Sequence, residues 1–342
     1  MDRAVRMPDG VPTAVQSRPG AIWRMPPVLA LIAAAFAGAP PTASAQWGVW
    51  QADSLLACGR LAAAESLYYA ASSARPRDAT ARSALGRYLA ARGALRIGAV
   101  LLEEARLFGG DSTSIAQALA PIYRSLGDYR SLAVLPKAPL SQAERSRVSW
   151  LVIHPQVMEF ADSVASIPYR PVDDGSGLGT ISIAIGERRI EVSVDPRVSG
   201  IVLRGTAARY RRELRVFGRD SSGIIAVIPE LRLGGVVLTN VAARVDTMPI
   251  VSGRRDGGIA SIGLDVLRRL VPTFDPGTST MLMRRSGQIA QTAPGRRVPI
   301  LLDETGLRVL LDGQWAAPHA RSLSLASRRW TWDARRGDML IE

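Results

Sequence analysis

The sequence predicts a chain that is helical in its first part and mainly β in its second. Glycines and apolar residues repeat every 34 residues between positions 46 and 135. From Thr180 the apolar pattern switches to alternation with period two. Ahead of both lie an arginine-bearing stretch, a short apolar run and a small-residue triplet.

The chain has 342 residues, enough for two domains and a leader. With 47% hydrophobic and 21% charged residues it is predicted to pack, not to be disordered. The formal charge of +13 is carried almost wholly by arginine, since Lys137 is the one lysine. The arginines are scattered in pairs, as at Arg188–Arg189, Arg211–Arg212, Arg254–Arg255 and Arg268–Arg269, with no interleaved aromatic run. That pattern predicts a solvated basic surface and no nucleic-acid partner. A single cysteine, Cys58, excludes an intramolecular disulfide and is expected to be a buried, inert thiol among Leu55, Leu56 and Ala57. With His154 and His319 the only histidines, no metal site and no cofactor are expected. Both lie near prolines and are expected at the surface.

Residues 1–45 are expected to be a signal peptide. Arginines in residues 1–24 precede the apolar run Val28–Ala37, which is shorter than the about 20 residues a spanning helix needs. Ala43–Ser44–Ala45 supplies the small-residue cleavage pattern, with Gln46 as the mature end. The expected location is exported, periplasmic or secreted, with no stable membrane span after cleavage.

In residues 46–135 Gly59, Gly93 and Gly127 keep the 34-residue spacing, as do the pairs Leu67 and Leu101, Ala71 and Ala105, and Leu85 and Leu119. Helix-period apolar residues flank the glycines, for example Leu85, Tyr88 and Leu89, then Val100, Leu101 and Leu107. Such a glycine suits a tight turn between two helices. The segment resembles tetratricopeptide repeats, with Ala84–Leu85–Gly86–Arg87–Tyr88 at the family's small-residue packing positions. Pro76 closes the first unit and Gly110 stands in that place in the second. The resemblance implies either a groove for a peptide or partner, or a helical spacer. Residues 136–176 are expected as a linker and lead-in, with a capped helix from Ser141 and a loop at Asp173–Gly177.

In residues 177–285, Ile181, Ile183 and Ile185 alternate, Gly186–Arg189 forms a turn, and Ile190, Val192 and Val194 alternate again: a β-hairpin. It delivers Asp195 at the end of its second strand. Val194–Asp195, Ser199 and Gly200–Leu203 resemble the opening of the retropepsin-like aspartic protease family. Two further stretches follow in the family's order. Leu231–Val241, with Gly234 and Gly235, is similar to its flap-to-strand segment. Asp256–Arg269, with Ile262 and Gly263, is similar to its psi-loop and helix, and Val271–Asp275 continues that match. The resemblance implies a single-lobed, closed β barrel.

It also implies a peptidase that hydrolyses peptide bonds through two Asp195 carboxylates brought together by dimerisation, sharing one proton around a water. The active-site loop departs from the family at two positions. Pro196 stands where the family has a hydroxyl residue, and Arg197 where it has glycine. Pro196 offers no hydroxyl and no N–H, and Arg197 brings a charge beside the carboxylate. The alternative is therefore a non-catalytic protease-fold binding or scaffold module, a pseudoenzyme, with a partner-binding helical region. Either reading implies a peptide or protein substrate or partner. Residues 286–342 are expected as a β-rich extension and not as a second lobe, with Val298–Gly306 a near miss to the family's aspartate motif. Asp303 and Asp312–Gly313 are read there as turn residues, the latter closing a hairpin after Leu307–Leu311.

Overall fold

The computed structural model describes residues 41–172, 178–204, 212–246, 260–285, 295–303, 306–317, 325–333 and 336–342. The arginine-bearing stretch and apolar run of the leader, Asp173–Gly177, Asp256–Ile259 and His319 lie outside these residues.

The helical part comes in antiparallel pairs: α1 (Pro41–Ala57) with α2 (Leu61–Ala74), α3 (Ala79–Ala91) with α4 (Leu95–Leu107), and α5 (Ser112–Leu126) with the short α6 (Tyr129–Val134). Helix α1 runs through the predicted cut after Ala45. Gly59, Gly93 and Gly127 sit at the three turns with φ of 72°, 97° and 69°, a region in which glycine has no Cβ penalty. Asp78 and Asp111 cap α3 and α5 by accepting two backbone N–H bonds each. Helices α3 and α4 approach closely because Gly86 and Gly98 face one another; a Cβ at Gly98 would lie 2.7 Å from the Gly86 carbonyl oxygen.

One expectation about this half is corrected. Cys58 is exposed, because α1 ends at Ala57 and the apolar face is carried by Ala52, Leu55 and Leu56. Val100 and Leu107 are 58% and 74% exposed. The inward face of α4 is set by Ala99, Leu102 and Ala105 instead, so these two project from the opposite side.

Helix α7 (Gln142–Ile153) starts at the cap expected at Ser141, which a capping box with Glu144 completes. The segment read as linker and lead-in also holds two strands, β1 (Val157–Phe160) and β2 (Val164–Arg170). In β2 only Ala165, Ile167 and Tyr169 are buried, an alternation that the sequence reading passed over.

Next come β3 (Thr180–Ile185), β4 (Arg188–Val194), β5 (Ile201–Arg204), β6 (Arg215–Asp220), β7 (Gly223–Leu233), β8 (Val236–Asp246) and β9 (Ala260–Ile262). The β3–β4 hairpin is as expected, with a turn of two residues, Gly186–Glu187; Arg188 and Arg189 already belong to β4. Strands β3, β4, β9, β5, β8 and β7 pair in that order, and β7 pairs back to β3. The result is a closed six-stranded barrel, as expected for this half. Strand β9 lies between β4 and β5, parallel to the first and antiparallel to the second. Strand β5 is also parallel to β8.

After α8 (Leu264–Leu267), β10 (Thr273–Asp275) and β11 (Thr280–Arg284) continue the sheet through β2. The C-terminal strands are β12 (Arg296–Asp303), β13 (Gly306–Leu311), β14 (Gln314–Ala316), β15 (Trp330–Asp333) and β16 (Asp338–Ile341). They are integral to the sheet. Strand β15 pairs with β10, placing Trp330 against Phe274 with ring centroids 4.0 Å apart. Trp330, Trp332 and Met339 share one core with Ile181, Val192 and Ile262. Asp312 and Gly313 close the β13–β14 hairpin with φ of 47° and 81°, the expected turn.

Residues 45–342 form one compact unit. Its helical hairpins meet the β part at their turns. A Cβ at Gly59 would collide with the Gly313 carbonyl oxygen, and one at Gly127 with the Arg269 guanidinium. Arg268 Nη2 donates to Gly93 O at 2.8 Å. Trp315 Nε1 donates to Leu56 O at 2.5 Å, and Arg92 Nη1 to Ile300 O at 2.7 Å. Gly109 has similar backbone strain, with φ of 87°, but open space beside it. Gly109→Ala should cost about 1–2 kcal/mol from left-handed strain. Gly59→Ala should cost a further ~1–3 kcal/mol for overpacking against Gly313, read as the difference between their urea unfolding free energies.

Candidate functional site

Asp195 follows the last residue of β4 and is held at the β4–β9 seam, where its N–H donates to Ile262 O at 3.0 Å. Its side chain is 7% exposed, between strands that bury Val194 and Ile201. A carboxyl this buried must find donors, and Arg197 supplies them. Arg197 Nε and the Arg197 backbone N–H both reach Oδ1 at 2.9 Å, and Nη2 reaches Oδ2 at 3.1 Å. A carboxylate has about four acceptor positions, and Arg197 takes three. Its guanidinium is half exposed on the other side, and the bonds to Asp195 raise its pKa above the ordinary arginine value.

The start of β13 adjoins this pair. Gly306, first residue of β13, lies so near that an added Cβ would sit 3.3 Å from Arg197 Cγ and 4.0 Å from Pro196 O. Asp303, the near miss for a second catalytic acid, is ion-paired to Arg308, and Asp312 pairs with Arg296 at 3.0 Å. Neither reaches Asp195 by any hydrogen bond among the described residues.

Ser199 points away from Asp195. Its Oγ donates to Asp265 Oδ2 at 2.7 Å, and the Gly200 N–H donates to both Asp265 oxygens at 2.9 Å. Asp265 Oδ1 also accepts the Val266 N–H at 3.0 Å. Gly263 is packed beneath this bridge: a Cβ there would lie 2.5 Å from Asp265 Oδ1 and would clash with Val198 O. Ile262 is fully buried at the end of β9. Thus Asp195, Pro196, Arg197, Ser199, Ile262 and Gly263 come together around one loop, residues 195–200. Asp265 belongs with them and was not singled out from sequence. Its position two residues after Gly263, at the start of a helix, was the available signal.

Gly234 and Gly235 are elsewhere. They form the two-residue turn of β7–β8, and Gly234 is pressed on β2, with an added Cβ 2.7 Å from Ser166 O and from Ile167 Cγ2. Ala161 N–H donates to Gly235 O at 2.8 Å, pinning the turn further. A flap must lift, and this turn is fastened on one side. The other long hairpin, β6–β7, is fastened too. Ser141 Oγ of the α7 cap donates to Asp220 Oδ2 at 2.7 Å, and Phe217 packs on Trp150.

Removing the Asp265 carboxylate takes the acceptor from the Gly200 N–H and the Ser199 hydroxyl, while the Val266 N–H keeps Gly263 O at 3.2 Å. Asp265→Ala should therefore destabilise the protein by about 2–3 kcal/mol, seen as a lower midpoint in chemical unfolding. Asp265→Asn, which keeps one acceptor oxygen, should lose less.

No family model matches the chain, and no curated protein sequence does. Among solved structures the chain is similar to a retropepsin-like aspartic protease from Rickettsia conorii, at 17% identity over 38% of this chain and 94% of that one, with a TM-score of 0.24.

Proposed function

We propose that this chain is an exported, non-catalytic relative of the retropepsin-like aspartic proteases, acting as a binding or scaffold module. The observation that carries this reading is the guanidinium fork on Asp195. A dyad mechanism needs a carboxyl oxygen free to take a proton from water and a second carboxyl close enough to share it. Here both oxygens of Asp195 are engaged by Arg197, and Gly306 stands against the loop on which a second copy would have to dock. The ordered family-like motifs and the closed barrel with β9 between β4 and β5 support the ancestry.

The helical hairpins supply the partner-facing element in this reading. Outer residues Ile97, Val100 and Leu107 of α4 are exposed at 57%, 58% and 74%, an apolar stripe at helical spacing on a soluble face. Retention of Asp195 then has a structural cause: it is the counter-charge of Arg197 in the loop.

The competing reading, an active peptidase, rests on the presence of Asp195 at the strand end. Cleavage of an unfolded protein by the purified chain, measured from pH 3 to 7 beside Asp195→Asn, separates the two. No cleavage by either folded protein is the expected outcome. Hydrolysis by the unmodified chain that the substitution abolishes would establish the dyad and end the scaffold reading. The substitution is also expected to lower thermal stability, because Arg197 then faces a neutral amide.

A further inference from the structure

Behind the Asp195 loop, between the helices and the barrel, lies a cavity of about 150 Å³. Its wall includes four arginines, Arg124 of α5, Arg147 of α7, Arg244 of β8 and Arg269 after α8, against two carboxylates, Glu144 and Asp265. The acids are committed. Asp265 is used by Ser199, Gly200 and Val266. Glu144 holds the α7 cap and offers one oxygen, Oε1, to both Arg124 and Arg147 at a long 3.4 Å each.

Arg244 and Arg269 make no ion pair among the described residues, and the Arg244 Nε is buried with no hydrogen-bond partner. Arg147 is itself buried, its side chain 10% exposed, with one further bond to Ala243 O at 3.0 Å. Each guanidinium carries five donors and no acceptor, so this wall has donors and positive charge in excess. Asp220 acts on Arg244 and Arg147 only at longer range, and partly buried guanidinium groups without a close counter-charge are unfavourable. An anion with several acceptor oxygens removes both deficits at once.

We infer that this cavity is a binding site for a small free oxyanion of the size of inorganic phosphate or sulfate, held by Arg124, Arg147, Arg244 and Arg269. Size limits the ligand. Liquid water occupies about 30 Å³ per molecule, so the space equals a few waters, whereas sites for drug-sized molecules run to roughly 300–1,000 Å³. The site goes beyond the proposed module function and does not depend on it. Because the wall joins α5, α6 and α7 to β8 and α8, an anion there ties the helical part to the barrel.

Calorimetric titration of the full chain with phosphate, sulfate and glycerol 3-phosphate, at constant ionic strength set with chloride, tests this. Saturable heat with phosphate and sulfate is expected, with a concentration-dependent rise in Tm. Glycerol 3-phosphate should bind at least tenfold more weakly. Arg244→Gln and Arg269→Gln should each weaken phosphate binding at least tenfold; if the Arg244 variant does not fold, Arg269→Gln decides. Absence of heat and of any Tm change relative to chloride overturns the inference, as does wild-type affinity in folded Arg269→Gln. Equal binding of the phosphate ester overturns the free-ion assignment and makes the cavity a headgroup site.

Discussion

The close approach of the helical hairpins to the β part, turn first, is the constraint on which the rest of the architecture depends. Helix hairpins can be stacked on a barrel through long side chains or through bare backbone, and here backbone is used. Gly59 rests on the Gly313 turn and Gly127 on the Arg269 guanidinium, while the Gly93 carbonyl accepts from Arg268. Polar side chains then cross the seam to carbonyls, as Arg92 and Trp315 do. Leu56 O and Gly93 O each also accept a backbone N–H, from Gly59 at 3.0 Å and from Leu95 at 2.8 Å, so the side-chain donors fill second acceptor positions on those oxygens.

Once the helices are seated, the hairpins of the barrel lose their freedom. The β6–β7 hairpin is tied to the α7 cap through Ser141 and Asp220, and Arg215 lies over the Trp150 ring at 4.8 Å. The β7–β8 turn rests on β2. Both long hairpins thus carry contacts that hold them in place. The chain's own C-terminal strands fill the remaining edge, with β15 on β10 and β13 beside Arg197.

The chemistry of the 195–200 loop follows from that closure. Asp195 is buried and cannot remain without donors. With Pro196 removing one backbone N–H, Arg197 supplies a backbone and a side-chain donor to the same carboxyl oxygen. Asp265 performs the reciprocal task on the far side, accepting from Ser199 and Gly200. Two aspartates thus hold the loop from opposite ends. That arrangement gives rigidity and leaves little of the acceptor capacity a general base requires.

Periodicity alone determined the α-then-β order, the β3–β4 hairpin and the glycine turns at 34-residue intervals, because these features are written in local φ preference and in which face is apolar. The Asp312–Gly313 turn and the Ser141 cap were legible for the same reason. Cys58 is exposed against expectation, since apolar neighbours in a helix do not declare which side meets another element. Strand β2 was passed over because its polar outward residues dilute a short alternation. The tertiary structure decided what stands beside Asp195. Sequence placed Arg197 two residues away, but only the fold aimed its guanidinium at the carboxyl and brought Gly306 against the pair. Residues about 110 positions apart meet at that loop through tertiary packing that no local preference encodes.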